Sequence, residues 1–337
     1  MELTVTAPNR IDLAGGTTDL YPLYLLMDGG CTVNAAISVR SSVTIRPLAG
    51  RKIIIASRDL GESLEAGDPA SLRVNGPLGL IARTVAAFPP KTGVKITTYN
   101  EAPAGSGLGA SSALVLALLT GLLRLRGEEA PPATVIDLAA NLETARIGVP
   151  AGKQDHIAAL FGGVSLIDFG YRGFLRREIC REPIKRARIE EMIVLSYTGL
   201  GRFSGMNNWE ITKSFIDNRE GIREKLLKIK QVALELSEAI SNDRWEQLPG
   251  LVDREWTLRR SLSPGVSTPH IETIMSEAKA AGALASKICG AGGGGCMITL
   301  VGKSGRAGVE RAISRAGGEV IPFSVDALGV NVTECFS

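Results

Sequence analysis

Residues 103–113 read PAGSGLGASSA, and the apolar run LVLALLTGLL follows at once. Glycine gives up more conformational entropy on folding than any other residue, so Gly105, Gly107 and Gly109 need a reason in backbone geometry or in something that approaches the backbone. Three readings fit. A tight strand-to-helix turn needs no ligand. A dinucleotide fingerprint is met in form, because Gly105, Gly107 and Ala110 satisfy G-x-G-x-x-G/A and Glu128 and Glu129 stand near the place of a ribose-binding acid. Against it, Asn100 to Pro103 separate the glycines from the strand-like KITTY, and the motif does not open the chain. The third is a phosphate cradle, in which backbone N–H groups without a Cβ in the way feed a helix whose amino end carries positive partial charge. No lysine follows the last glycine, which excludes a Walker A loop; Ser111 and Ser112 follow instead, and a hydroxyl beside bound phosphates is a usual Mg²⁺ ligand.

Composition narrows what surrounds that loop. With 337 residues, 45% of them hydrophobic, the chain can bury a large core and divides into about two domains. Its 38 basic and 35 acidic residues are interspersed, so neither a basic stripe for nucleic acid nor a membrane-binding patch stands out, and small-molecule chemistry is the expected class. Five cysteines without a CxxC pair point to reduced thiols in a cytoplasmic compartment. Two histidines, His156 and His270, are too few for a His-rich metal cluster. No segment has the length of a membrane span or the layout of a signal peptide.

Strand-like runs (LTVTA, CTVNAAISVRSSVTIRPL, KIIIAS, GVKITTYN) fill the first hundred or so residues. Helical spacing begins at Ser111–Arg124, continues over Ala133–Ile147 and resumes from Asp155, so this half is mixed α/β. An irregular basic patch, RREICREPIKRAR, sets a domain boundary at 182/183, giving an amino domain of 1–182 and a carboxyl domain of 183–337. The second part opens with the strand EMIVLSYTG. It runs through helices at 217–241, 243–260 and 269–281, enters KICGAGGGGCMITL and ends in two strand-like runs.

Two carboxylates stand out beside the loop. Glu143 lies in the mostly apolar DLAANLETARIG and is either a metal ligand or a solvated partner of Arg146 at i,i+3. Asp155 follows twelve residues on, in GVPAGKQDHIAALFGG, where its plain reading is a helix N-cap.

PAGSGLGASSA resembles the second signature of the GHMP kinases, Pro-x-x-x-Gly-Leu-Gly-Ser-Ser-Ser-Ala, with Ala110 in place of the first serine. APNRIDLAGGTTDL resembles the first signature and KICGAGGGGCMITL the third, in the family's order. This resemblance implies an α/β and α+β two-domain fold. The amino domain would be ribosomal protein S5 domain 2-like, with a left-handed β-α-β unit, and the carboxyl domain ferredoxin-like. It implies ATP as phosphate donor, Mg²⁺, a small-molecule acceptor, and a monomer or homodimer.

Residue by residue, it places Pro103, Gly105, Gly107, Leu108, Gly109, Ala110, Ser111 and Ser112 around the triphosphate, with Ser112 and Glu143 on the metal. Asp155 would face the acceptor hydroxyl, taking its proton or stabilising the alkoxide through neighbours, and Arg10 would keep Asp155 ionised. Asp19 would accept hydrogen bonds from sugar hydroxyls, with Gly16, Thr17 and Asp12 beside it. Gly15-Gly16-Thr17 differs from the Gly-Glu-His of galactokinases. RIDLAGGTTDL, GKQDHIAALFGG and SYTGLGRFSGMNNW resemble the branch of D-glycero-D-manno-heptose 7-phosphate kinases, which usually has a third glycine where Thr17 stands. A phosphorylated acceptor calls for a basic pocket, and Lys153, Arg202 and Lys287 are its candidates. Galactose, fucose, a uronic acid and mevalonate are the alternative acceptors. An NAD-dependent oxidoreductase and a catalytically silent sensor of the same fold are the alternative classes.

Overall fold

The structure, a computed structural model, describes residues 2–149, 151–201, 205–219 and 221–335. Its first sheet takes β1 (Glu2–Ala14), β2 (Gly30–Leu48), β3 (Ile53–Ser57), β4 (Glu62–Ala66), β5 (Gly93–Asn100), β6 (Val164–Gly170) and β7 (Gly173–Glu178). Its second takes β8 (Ile193–Tyr197), β9 (Ala283–Ile288), β10 (Cys296–Val301) and β11 (Glu319–Val320); the last strand, β12 (Asn331–Cys335), returns to the first. The helices of the amino half are α1 (Leu23–Leu26), α2 (Gly79–Ala87), α3 (Ala110–Arg126), α4 (Pro132–Ile147) and α5 (Gln154–Phe161). Those of the carboxyl half are α6 (Pro183–Met192), α7 (Gly205–Ile216), α8 (Ile222–Ser241), α9 (Leu248–Arg260), α10 (Pro269–Ala280) and α11 (Arg306–Arg315).

The first sheet runs β12-β1-β2-β5-β3-β4, with the β6–β7 hairpin paired to β2. Its pairs are antiparallel except β3–β5, so it is not the doubly wound parallel sheet a dinucleotide site requires. The second sheet orders its strands β11-β8-β10-β9, all antiparallel. That is the 4-1-3-2 order of a ferredoxin-like unit, which agrees with the expected carboxyl domain.

The run LVLALLTGLL becomes α3, apolar almost all round because the helix is enclosed. Leu114 to Leu119 are all buried, in a core shared with β1, β2, β3 and β5. Arg124 and Arg126 in the last turn and Gly127 in the left-handed conformation end it. A second core joins the two halves through Ile11 and Leu13 of β1, Leu236 of α8, Val252 of α9 and Ile298 of β10. The cleft opens along that joint.

Three expectations need correction. The basic patch is regular: β7 ends at Glu178 and α6 starts with Pro183 at its first position, a helix whose buried residues are only Ile189 and Met192, too few to show a periodicity. The first hundred or so residues hold α2 as well as strands. β12 pairs with β1 over Glu2↔Cys335 to Thr6↔Asn331, so the end of the expected 183–337 domain packs in the amino-terminal sheet.

Candidate active site

The glycine loop leaves β5 at Asn100 and enters α3 through Gly109, whose φ of 75° makes it the left-handed N-cap. A Cβ there would lie 3.0 Å from the Asp155 side chain, so glycine serves both the backbone angle and the close approach. Gly105, Gly107, Gly109, Ala110, Ser111 and Ser112 border the cleft, at the amino end of a 17-residue helix. Pro103 and Leu108 do not border it. Leu108 is a core anchor, fully buried, whose carbonyl accepts a 2.9 Å bond from the Arg10 N–H. The second glycine run borders the cleft beside the first loop: a Cβ on Gly290 would lie 3.1 Å from the Gly107 carbonyl oxygen. Its hairpin is fastened by Cys289 N–H to the Cys296 carbonyl at 2.8 Å, and it reaches the first loop through Cys296 N–H to the Ser106 carbonyl at 2.6 Å.

Arg10 comes in from β1, its side chain 5% exposed, and Nε donates to Asp155 Oδ1 at 2.7 Å while Nη1 donates to the Gly107 carbonyl at 2.5 Å. Burial disfavours its charge, but Asp155 and Asp12 outweigh that, and its pKa rises. Asp155 is in the first turn of α5, whose N-cap is Lys153, so it is not the cap. Burial holds its carboxyl above the usual range and Arg10 only partly reverses this; 21% of the side chain stays exposed, toward the cleft.

Glu143 lies on α4, directly behind Ser112. The Ser112 hydroxyl donates to Glu143 Oε2 at 2.6 Å, and His156 Nε2 is 3.2 Å from the same oxygen. Burial works against the Glu143 charge, but the His156 ring and the two serine hydroxyls outweigh it, and its pKa is lowered. Arg146, the surface partner expected at i+3, donates instead to the Gly76 carbonyl at 3.1 Å. An ionised carboxylate and a hydroxyl at the edge of a phosphate-sized loop suit Mg²⁺, which takes most of its six oxygens from water and phosphate.

On the other wall, Asp19 Oδ2 accepts from the Gln154 N–H at 3.2 Å, and the Asn34 side chain holds the Gln154 carbonyl at 3.2 Å. A Cβ on Gly152 would lie 1.8 Å from Asp19 Oδ2, so only glycine lets the carboxylate approach the chain there. Burial first, and then the neighbouring Asp155 charge, push the Asp19 carboxyl up to about 6. Gly16 and Thr17 also border this wall.

Three expected substrate-site residues sit away from the cleft, and a fourth is not among the described residues. Asp12 is fully buried behind the cleft in a cluster with Lys287, Arg259 and Glu255, and Lys287 is equally buried there. Lys153 turns away to Asp137, 2.6 Å from its carboxylate. Arg202 lies outside the described residues. Conversely, the cleft recruits Ser106, Gln154, Asn208 and Cys289, and the buried Arg259 and His156 touch its walls. Ser106, Cys289 and Asn208 stand inside the motifs, and Gln154 and His156 flank Asp155, so position was their signal in the sequence; Arg259 had none.

Two sequence models of known families match, GHMP kinases N terminal domain over residues 77–163 and GHMP kinases C terminal over 235–319, together more than half of the chain. A D-glycero-alpha-D-manno-heptose 7-phosphate kinase of Campylobacter jejuni is 28% identical over 333 residues, 96% of each chain. An L-fucokinase/L-fucose-1-P guanylyltransferase of Bacteroides fragilis is 28% identical over 90% of this chain and 35% of that protein. The crystal structure of a D-glycero-D-manno-heptose 1-phosphate kinase from Bacteroides thetaiotaomicron superposes with a TM-score of 0.79 at 24% identity, covering 99% of this chain and 100% of that one. An oxidoreductase is therefore set aside, on the sheet topology and on these matches. The three glycine-bearing motifs meet at one cleft with a buried arginine–aspartate pair, and the chain belongs to the GHMP kinases, phosphotransferases with a hydroxyl acceptor.

Proposed function

We propose that the protein is an ATP- and Mg²⁺-dependent sugar kinase whose acceptor is a sugar or sugar phosphate, with the anomeric hydroxyl of a heptose 7-phosphate-like sugar as first choice. The observation that carries this is the Arg10–Asp155 pair, which opens onto the same cleft as the glycine loop on one side and Asp19 on the other. Phosphoryl transfer needs little covalent chemistry from the protein; it needs positioning and charge compensation. The loop amides and the amino end of α3 would hold the polyphosphate, and Ser112 and Glu143 would hold Mg²⁺. When bound, the ion neutralises charge on the transferring group. Asp155 would take the acceptor proton, which a carboxylate with a raised pKa does more readily, while Arg10 offsets the charge left on the oxygen.

The similarity to a heptose 7-phosphate kinase over nearly the whole chain, and to a fucokinase, supports a sugar acceptor. Incubation with MgATP and a panel of hexoses, fucose, heptose phosphates, uronic acids and mevalonate tests it. At least one sugar should yield ADP and a phosphate ester that carbon–phosphorus coupling assigns to one carbon, and turnover of mevalonate alone would refute a sugar acceptor.

Two expectations attach to single residues. Glu143→Gln keeps the shape but loses the charge, so the Mg²⁺ concentration at half-maximal rate should rise by about tenfold or more; an unchanged titration would take Glu143 off the metal. Asp19 binds sugar hydroxyls as an anion, and its carboxyl titrates at about 6, so it is protonated below that pH and ionised above it. The kcat/KM for the sugar should therefore climb as pH rises through about 6. Asp19→Asn should lower kcat/KM and erase that limb. A limb that persists in the variant would belong to another group.

A further inference from the structure

The buried charges behind the cleft have no role in the chemistry above. Asp12 on β1, Glu255 and Arg259 on α9, and Lys287 on β9 are each at most 1% exposed. Lys287 Nζ is 3.3 Å from Asp12 and 3.6 Å from Glu255, and Arg259 Nε donates to Glu255 Oε1 at 2.9 Å. Buried ion pairs of this kind add little net stability over apolar residues of the same volume, because desolvation offsets the attraction. One member reaches the cleft wall. Arg259 Nη1 donates to Thr17 Oγ1 at 3.0 Å, and Nη2 donates to the Gly16 carbonyl at 2.8 Å. Thr17 has φ of 74°, a conformation a β-branched residue rarely adopts and one that needs an external hold. Two residues further on stands Asp19.

We propose that Arg259 is a positioning residue for the acceptor, which clamps Thr17 in the left-handed conformation and so fixes the wall that presents Asp19. The idea rests on Asp19 binding the acceptor, as proposed above, with Gly16 and Thr17 in the same wall. Glu255 and Asp12 keep the guanidinium aimed, and α9 thereby ties the carboxyl half of the chain to sugar recognition.

The decisive comparison is Thr17→Val against Thr17→Gly. Valine matches threonine in shape but removes the hydroxyl Arg259 binds and keeps the strain; glycine removes the hydroxyl and the strain together. Thr17→Val should raise the sugar KM about tenfold and Thr17→Gly no more than about threefold, both leaving the ATP KM within about twofold. Ordinary packing gives the reverse order, with valine benign and glycine damaging, and that result would overturn the proposal. The charge-balanced pair Arg259→Met with Glu255→Gln should also raise the sugar KM about tenfold, and adding Thr17→Gly should restore most of it. If that pair fails to fold, the Thr17 comparison still decides. Urea midpoints of the sugar-free protein separate the two premises. Thr17→Val below Thr17→Gly in midpoint, with neither moving the sugar KM, would leave the contact intact but refute the wall of Gly16, Thr17 and Asp19 as the acceptor site, and the proposal with it.

Discussion

Asp155→Ala is expected to abolish turnover, lowering kcat by about 10³-fold or more, while the ATP dissociation constant measured by calorimetry changes by less than about threefold. The split follows from where the carboxylate points. Its exposed edge faces the cleft, its buried edge rests on Arg10, and the glycine loop proposed to hold the nucleotide is built from other residues. Asp155→Asn keeps an oxygen for Arg10 to bind, so it controls for collapse of the pair; it should melt near the parent temperature and still be nearly inactive. A variant at position 155 that keeps a near-parental rate would remove the residue from the mechanism.

Arg10→Met should lower kcat by about 10²-fold or more and, unlike the change at Asp155, should also weaken ATP. The difference is structural. One guanidinium arm holds Asp155 and another holds the Gly107 carbonyl, so the loss frees both the Asp155 carboxylate and the glycine loop, the two parts assigned above to the acceptor and the polyphosphate. Because the two side chains act as a unit, the double variant Arg10→Met, Asp155→Ala should be about as slow as Asp155→Ala alone. Multiplicative losses would mean that the pair does not act together.

Which parts of this site were legible in the sequence follows from the range of the interactions involved. The glycine loop and the helix behind it were read directly, since backbone freedom and apolar runs are properties of neighbouring residues. Helix α6 was missed because its buried face has only two apolar residues, and α2 because it is short and lies among strands. Lys287 looked like a phosphate ligand because a lysine near a motif carries no mark of burial; in the fold it neutralises Asp12 and Glu255 from opposite sides of an interface. Glu143 was open to two readings because i,i+3 spacing offered Arg146 as a partner, and only the packing of α4 against α3 turned it to Ser112.

By itself, then, the order of residues determined the glycine-rich turns, the buried helix they feed, and the resemblance that joins three distant motifs, all of which depend on local backbone preference and local pattern. Which charges face the cleft, which are spent on one another behind it, and that an arginine 242 positions away hydrogen-bonds Thr17 at the cleft wall were decided by tertiary structure alone. Burial and charge pairing are set by what the folded chain brings from elsewhere, and a desolvated charge looks the same in a sequence as a solvated one.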